Sequence, residues 1–274
     1  MIASIIGANG KMGKWLNTHL TGLGYTITKY DERRNDSSSI LWESDLVIVS
    51  VPVGVTAEVI ARAVNNMKKG STIIEIASLK AGIYEEIVRT SKKGFNALSV
   101  HPMFGPSVTS LRDKTVAVLP VIDAISEMQQ VSDIFPEANI VEVKPEAHDR
   151  LMSLILSLPY LVNLALAGTI KDEDLELLKK LSGTSFALQY ILIQSVVGET
   201  TSLIYALLRE NQFLGDSIQK FITNLDEINE AIGSREEFER IHKKIKKPLK
   251  YDSLHMKAHI IRQKAYDIIR PLLR

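Results

Sequence analysis

A short apolar run, residues 2–6, leads into Gly7-Ala8-Asn9-Gly10-Lys11-Met12-Gly13 and then a helical pattern over 11–23. Strand, glycine-rich turn and helix, in that order, form the context that binds the pyrophosphate of a dinucleotide. Gly7 opens the turn, Gly10 lets the backbone approach the phosphates, and Gly13 lets the helix pack close against the strand. The first helical turn, Lys11 and Met12 included, supplies backbone N–H groups and the positive end of the helix dipole. Ala8 stands where the G-x-G-x-x-G pattern has its first glycine, and a tight strand-to-helix turn without a ligand would use the same residues. Asp31 adds to the dinucleotide reading. It ends the second strand pattern eighteen residues after Gly13, where an acid accepts hydrogen bonds from a ribose 2′-hydroxyl and repels a 2′-phosphate. NAD is therefore the expected cofactor, with NADP kept open by Arg33 and Arg34.

Three further strand patterns end in residues capable of chemistry: Ser50-Val51-Pro52, Ser78-Leu79-Lys80, and His101-Pro102-Met103-Phe104-Gly105-Pro106. In a doubly wound sheet the carboxyl ends of the strands face the ligand crevice. Ser50 and Pro52 are thus expected at the cofactor, and His101 beside whatever the cofactor meets. Each residue also has a plainer role: a loop histidine for His101, the N-cap of a helix over 81–88 for Ser78, a solvated cation for Lys80. His255 and His259 are four apart on a helical pattern, but no carboxylate cluster accompanies them and no metal site is expected. No P-loop, Ser-His-Asp order or pair of catalytic carboxylates emerges, which leaves hydrolase and kinase readings without support. Zero cysteines exclude thiol chemistry.

The elements that must position these residues alternate. Strand patterns over 2–6, 25–30, 46–51, 72–76, 97–100, 115–119 and 140–143 are separated by helical stretches such as 11–23 and 56–67, closed by Gly24 and Gly70. This predicts a parallel, doubly wound α/β sheet of the Rossmann type over residues 1–144. From Lys144-Pro145-Glu146 onward the pattern is helical, with breaks at 172–174, 182–184, 211–215, 232–234 and 247–248. Residues 145–274 are expected to form an all-helical domain of about five helices. Two stretches, 151–170 and 181–198, carry no charge and approach the length that spans a bilayer. Their Ser, Asn and Gln residues, and Pro159, favour central helices of a bundle or of a dimer interface instead.

With 45% of its 274 residues hydrophobic, the chain has apolar material for two cores. A net charge of +1 argues against a protein that works by neutralising nucleic-acid phosphates. The basic stretch 235–274 reads as a solvated helix face. The N-terminal run lacks the basic flank and cleavage site of a signal peptide, so a cytoplasmic protein with neither membrane nor nucleic acid as partner is expected.

The turn Gly7 to Gly13 as G-x-x-G-x-M-G, SDLVIVSVP at 44–52, IASLKAG at 76–82, HPMFGP at 101–106 and His148-Asp149-Arg150 together resemble the prephenate dehydrogenase family. The resemblance implies a nucleotide-binding domain followed by an all-helical dimerisation domain that forms an intertwined homodimer. It also implies oxidative decarboxylation of prephenate to 4-hydroxyphenylpyruvate with NAD or NADP, a step of tyrosine biosynthesis. Within that reaction it implies His101 as the imidazole that accepts a hydrogen bond from the substrate's C4 hydroxyl, a task suited to a reference pKa of about 6.5. Ser78 would orient the hydroxyl or the histidine, Lys80 would offer a cation to substrate or cofactor, and His148 and Asp149 would form an interdomain pair.

Two positions depart from the family pattern. Many bacterial members carry a substrate-binding histidine eleven residues after the aspartate of that pair, where this chain has Tyr160. They also carry an arginine for the ring carboxylate in the segment that resembles 181–189, where Ala187 stands. Donors for a dianionic substrate must then come from Arg150, Tyr160, Asn163, Gln189 or Tyr190, or from a partner subunit. The rival readings are arogenate dehydrogenase, a β-hydroxyacid dehydrogenase or imine reductase of the same build, and a non-catalytic NAD-binding sensor.

Overall fold

The computed structural model describes residues 1–30 and 39–273; Asp31, Arg33 and Arg34 lie outside the described residues. Strands β1 (Ile2–Ile6), β2 (Thr26–Tyr30), β3 (Leu46–Val49), β4 (Thr72–Glu75), β5 (Asn96–Pro102), β6 (Thr115–Leu119) and β7 (Asn139–Glu142) form one sheet. Their order across it is β2-β1-β3-β4-β5-β6-β7. Between them run α1 (Lys11–Gly22), α2 (Ser39–Trp42), α3 (Val53–Ala63), α4 (Ile83–Ser91) and α5 (Ala124–Ile134).

The strand patterns are continuously apolar because both faces of the sheet are covered. In β3, Leu46 and Ile48 join a core with Leu16 and Leu20 of α1 and Val131 and Ile134 of α5. Val47 and Val49, pointing the other way, join a second core with Val59 and Ile60 of α3 and Ile87 of α4. That is the doubly wound architecture read from the sequence.

One ladder departs from it. β5 and β6 pair antiparallel, with His101 opposite Ala117 and Pro102 opposite Val116, while the other ladders are parallel. Residues 103–114 contain no helix, so the chain leaving β5 turns back along the edge instead of crossing a face. β5 also runs two residues beyond the predicted 97–100 pattern, which places His101 inside the ladder and not in a loop. The segment after it is fastened to α1. The indole N–H of Trp15 donates to the Val108 carbonyl at 2.9 Å, and the rings of Trp15 and Phe104 meet edge to face at 5.2 Å.

The chain divides into two compact units, one of Met1–Met152 with Tyr205–Gln212, the other of Ser153–Ile204 with Phe213–Arg274. The first unit thus extends past the 144/145 boundary and takes in α6 (Pro145–Met152). Asp149 explains why: its carboxylate accepts the backbone N–H groups of Lys80 and Ala81. Residues 205–212 join the same unit through Asn211, whose amide donates to the Asp149 carbonyl at 3.0 Å.

The second unit holds a π-helical turn, Ser153–Ser157, then α7 (Leu158–Ile170), α8 (Leu175–Leu181), α9 (Thr184–Val197), α10 (Thr201–Arg209, shared with the first unit), α11 (Leu214–Ala231), α12 (Arg235–Leu249) and α13 (Ala258–Ile269). This is more helices than the sequence suggested, because Gly198 ends α9 ahead of α10; the break expected at 247–248 falls in the last turn of α12, ahead of α13. α9 packs on α7 and α13. The uncharged stretches, expected as central helices of a bundle or of a dimer interface, are buried only in part within one chain: Ala187, Tyr190, Ile193 and Val196 of α9 are buried. Asn163 is the buried residue of α7, while Leu154, Ile155, Leu192 and Val197 are exposed. By length and composition alone the continuous helix Pro145–Ile170 could cross a membrane.

Trp15→Phe keeps the ring contact and removes the bond to Val108, a loss of about 1 kcal/mol. Amide hydrogen exchange over 103–114 should speed up roughly fivefold while exchange in β1 and β3 stays unchanged; unaltered exchange in the loop would show that it is held by other contacts.

Candidate active site

The glycine turn is built so that side chains are shut out. Gly7 has φ +86°, and a Cβ there would lie 2.2 Å from the Ser50 carbonyl oxygen. A Cβ on Gly13 would lie 2.3 Å from the carbonyl oxygen of Gly7. Ala8 is tolerated because the left-handed step falls on Gly7, leaving the alanine methyl to pack in the core beside α1. Gly10 is the N-cap of α1, with no capping side chain and no acid in the first turn, an arrangement that favours an anion at the helix start. Lys11, Met12 and Gly13 form that first turn. Gly7, Asn9 and Gly10 on one side and Ser50, Val51 and Pro52 on the other wall a cleft of about 520 Å³. A turn closed to side chains, an uncapped helix start and an adjoining cleft fit a dinucleotide.

Three buried side chains, His101 at the end of β5 and His148 and Asp149 of α6, form a chain. Asp149 Oδ1 lies 2.7 Å from His148 Nδ1, and His148 Nε2 lies 3.1 Å from His101 Nδ1. The carboxylate also accepts the N–H of Lys80 at 2.9 and 3.1 Å and that of Ala81 at 2.9 Å. Burial opposes ionisation of Asp149, but the hydrogen bonds from His148 and from the backbone hold its pKa below the usual value. An ionised Asp149 only accepts, so His148 Nδ1 must donate to it. With His148 neutral, its Nε2 is an acceptor, His101 Nδ1 donates to it, and His101 Nε2 is left with a lone pair. Burial pushes the His101 pKa well below the ordinary 6.5, helped by the charge on Lys80 and by His148. The arrangement is thus a neutral imidazole that presents a hydrogen-bond acceptor at Nε2.

Lys80, read from the sequence as a cation for substrate or cofactor, does not offer its ammonium to a cleft. It is 3% exposed, and its Nζ is bound to Glu75 Oε1 at 2.6 Å and to the Val100 carbonyl at 2.7 Å. Burial lowers its pKa against the pull of Glu75 and Asp149. Glu75 is itself completed by the Ser99 hydroxyl and the Ala77 N–H. Ser78 is half-buried on the segment that leaves β4, and the N-cap of α4 is Gly82, so Ser78 is not the expected helix cap. Glu75 pairs with Ser99, so the segments carrying Ser78 and His101 leave neighbouring strands of the sheet.

Arg150 is exposed on α6. In the helical unit, Gln189 donates to Asn163 Oδ1 at 2.7 Å and Asn163 donates to the Pro159 carbonyl at 2.8 Å. Tyr160 stands one turn from Asn163 on α7; burial, with Glu199, raises its phenol pKa. Asn163 and Gln189 are thus one polar pair joining α7 and α9. Ala187 is fully buried with Tyr190 against Leu273, a packing position. Glu75 escaped the sequence reading; its signal was a charge interrupting an apolar strand. Arg62, which also lines the cleft, had no signal beyond a helical pattern.

Residues 17–141 match the nucleotide-binding domain of prephenate dehydrogenase, and residues 144–247 match its dimerization domain. Among curated proteins, the chain is 26% identical over 272 residues to a probable arogenate/prephenate dehydrogenase of Methanocaldococcus jannaschii, an alignment that covers 89% of this chain and 60% of that protein. The chain therefore spans only about three fifths of that relative's length. Among solved structures, prephenate dehydrogenase from A. aeolicus, in complex with hydroxyphenyl propionate and NAD+, superposes with a TM-score of 0.71 at 20% identity, covering 92% of this chain and 98% of that one. Synechocystis arogenate dehydrogenase gives 0.67 at 18% identity, covering 90% and 97%. The two structures share the fold, and the two domain matches, end to end across most of the sequence, carry the assignment: the chain belongs to the prephenate dehydrogenase family.

Proposed function

We propose that the protein is an NAD-dependent dehydrogenase that converts prephenate to 4-hydroxyphenylpyruvate and carbon dioxide, in tyrosine biosynthesis, as a homodimer. The observation that supports this most directly is the Asp149–His148–His101 chain, which leaves a hydrogen-bond acceptor at the end of β5. NAD, when bound by the Gly7 to Gly13 turn with Ser50 and Pro52, supplies the hydride acceptor. His101 Nε2 takes the proton of the substrate's C4 hydroxyl as C4 loses hydride and becomes a carbonyl. Loss of the ring carboxylate as carbon dioxide then returns the ring electrons to that oxygen as a phenolate, and His101 gives the proton back. Ser78 orients the hydroxyl. Lys80 holds the strand and the field around His101 and makes no contact with substrate. Arg150, Tyr160 and Gln189 are the candidates for the substrate's carboxylates. The exposed apolar residues of 151–198 are covered by the second copy.

Arogenate, with an amino group in place of the keto group, is the alternative substrate; the M. jannaschii relative is described by both names. The buried Ala187 favours a second alternative, a sensor that binds NAD without turnover.

NADH absorbance should rise when the protein meets NAD and prephenate, and sedimentation at micromolar concentration should give twice the 30.5 kDa chain mass. His101→Ala should lower kcat by about 10²–10⁴-fold with NAD binding intact. Cofactor binding without turnover on prephenate or arogenate would put the sensor reading in its place.

Asp149→Asn offers a sharper test. The amide can still accept from the backbone, but its NH₂ can drive His148 and then His101 into the opposite tautomers. kcat should fall by a similar factor, and the ¹⁵N shifts of the His101 ring should show the proton moved from Nδ1 to Nε2. With His101 held neutral by a lowered pKa, the acid limb of kcat/KM in the unaltered protein should lie well below pH 6.5; a limb at or above 6.5 would exclude His101 as the acceptor.

A further inference from the structure

The cleft beside the glycine turn has a wall that the hydride chemistry does not use. Val55, Val59 and Arg62 all line it and stand at i, i+4 and i+7, which makes them one stripe of α3. The stripe is apolar for two turns and then ends in a guanidinium. At 1.5 Å per residue, Arg62 lies about 10 Å along the axis from Val55, while Ile6 and Val51 extend the apolar surface toward the glycine turn. Arg62 is tethered one turn back, its Nη1 lying 3.1 Å from Glu58 Oε1.

A planar cation held at the end of an apolar slot suits the face of a flat heteroaromatic ring. The valines take the ring's edge and face, and the guanidinium stacks on it. We infer that Arg62 stacks on the adenine of the bound dinucleotide and holds its adenosine half, in the same cleft that Gly10 of the phosphate turn lines. Glu58 sets the orientation, and as an anion already paired with the guanidinium it disfavours a 2′-phosphate at the same N–H groups. The assignment rests on the dinucleotide reading above and adds the residue that grips the end away from the chemistry.

The test titrates the full chain, unaltered and as Arg62→Met and Arg62→Lys, with NAD, NADP, ADP-ribose and nicotinamide mononucleotide, after thermal melts have shown the variants to be folded. Arg62→Met should weaken NAD and ADP-ribose by the same factor, about tenfold, and leave nicotinamide mononucleotide unchanged, since that ligand lacks adenine. Arg62→Lys should recover little, because a point charge lacks the stacking plane. Equal ADP-ribose affinity in the unaltered protein and Arg62→Met overturns the inference. So does full recovery in Arg62→Lys, or a loss much larger for NADP than for NAD, either of which would make Arg62 a phosphate ligand. Failure of the unaltered protein to bind NAD and ADP-ribose would overturn the dinucleotide reading itself, and is distinguishable because it does not depend on the variants.

Discussion

The carboxylate of Asp149 is the constraint on which the His101 end of the sheet unit depends. It takes the N–H groups of Lys80 and Ala81 and the Nδ1–H of His148, so one buried anion ties α6 to the segment between β4 and α4. Four short contacts make such an anion tolerable away from water, where an unpaired one would cost several kcal/mol. The same bonds fix a direction of donation that passes through two imidazoles. Packing and protonation are therefore one property here: α6 cannot leave the sheet without releasing the tautomer of His101.

A second buried charge pair, Glu75 with Lys80, sits one strand away and has a different character. Neither residue reaches solvent, and every oxygen of Glu75 has a partner. Such a pair is seldom a net source of stability, because desolvation offsets the attraction. What it supplies is a fixed positive charge close to His101 and an anchor on the Val100 carbonyl, the residue just before the histidine. A single lysine thus anchors the strand that holds the imidazole and adds its charge to the burial that keeps the ring neutral.

Much of this was legible in the sequence, and the physical reasons divide cleanly. All seven strands, the glycine turn and the switch to helices after Val143 follow from local periodicity and from backbone positions that only glycine fits. Gly7 and Gly13 are readable because a Cβ has nowhere to go. The antiparallel return of β6 was not readable, because strand direction is set by what lies between strands and 103–114 carries no helix signal in either case. The role of Lys80 was misjudged for a related reason: its partner Glu75 lies five residues earlier, buried in a strand, and a lone lysine after a strand looks like a solvated one. His148 and Asp149 were visible as residues, but the hydrogen bonds that connect them to His101 span 47 positions. The helical unit was the least legible, since its uncharged stretches expose apolar side chains that a single chain does not cover.

The hairpin-like return of β5 into β6 has an evolutionary side. A parallel crossover binds loop length to the helix it carries, so that an added residue disturbs packing on a whole face. The segment 103–114 carries no such burden: it leaves the sheet next to the histidine, touches α1 through Trp15, and comes back to the neighbouring strand. Residues can be inserted or lost there at little more than the slowly growing entropy of a longer loop, with the ladder around His101 undisturbed. A lineage can therefore reshape the surface beside His101 while the ladder that holds the imidazole is inherited unchanged.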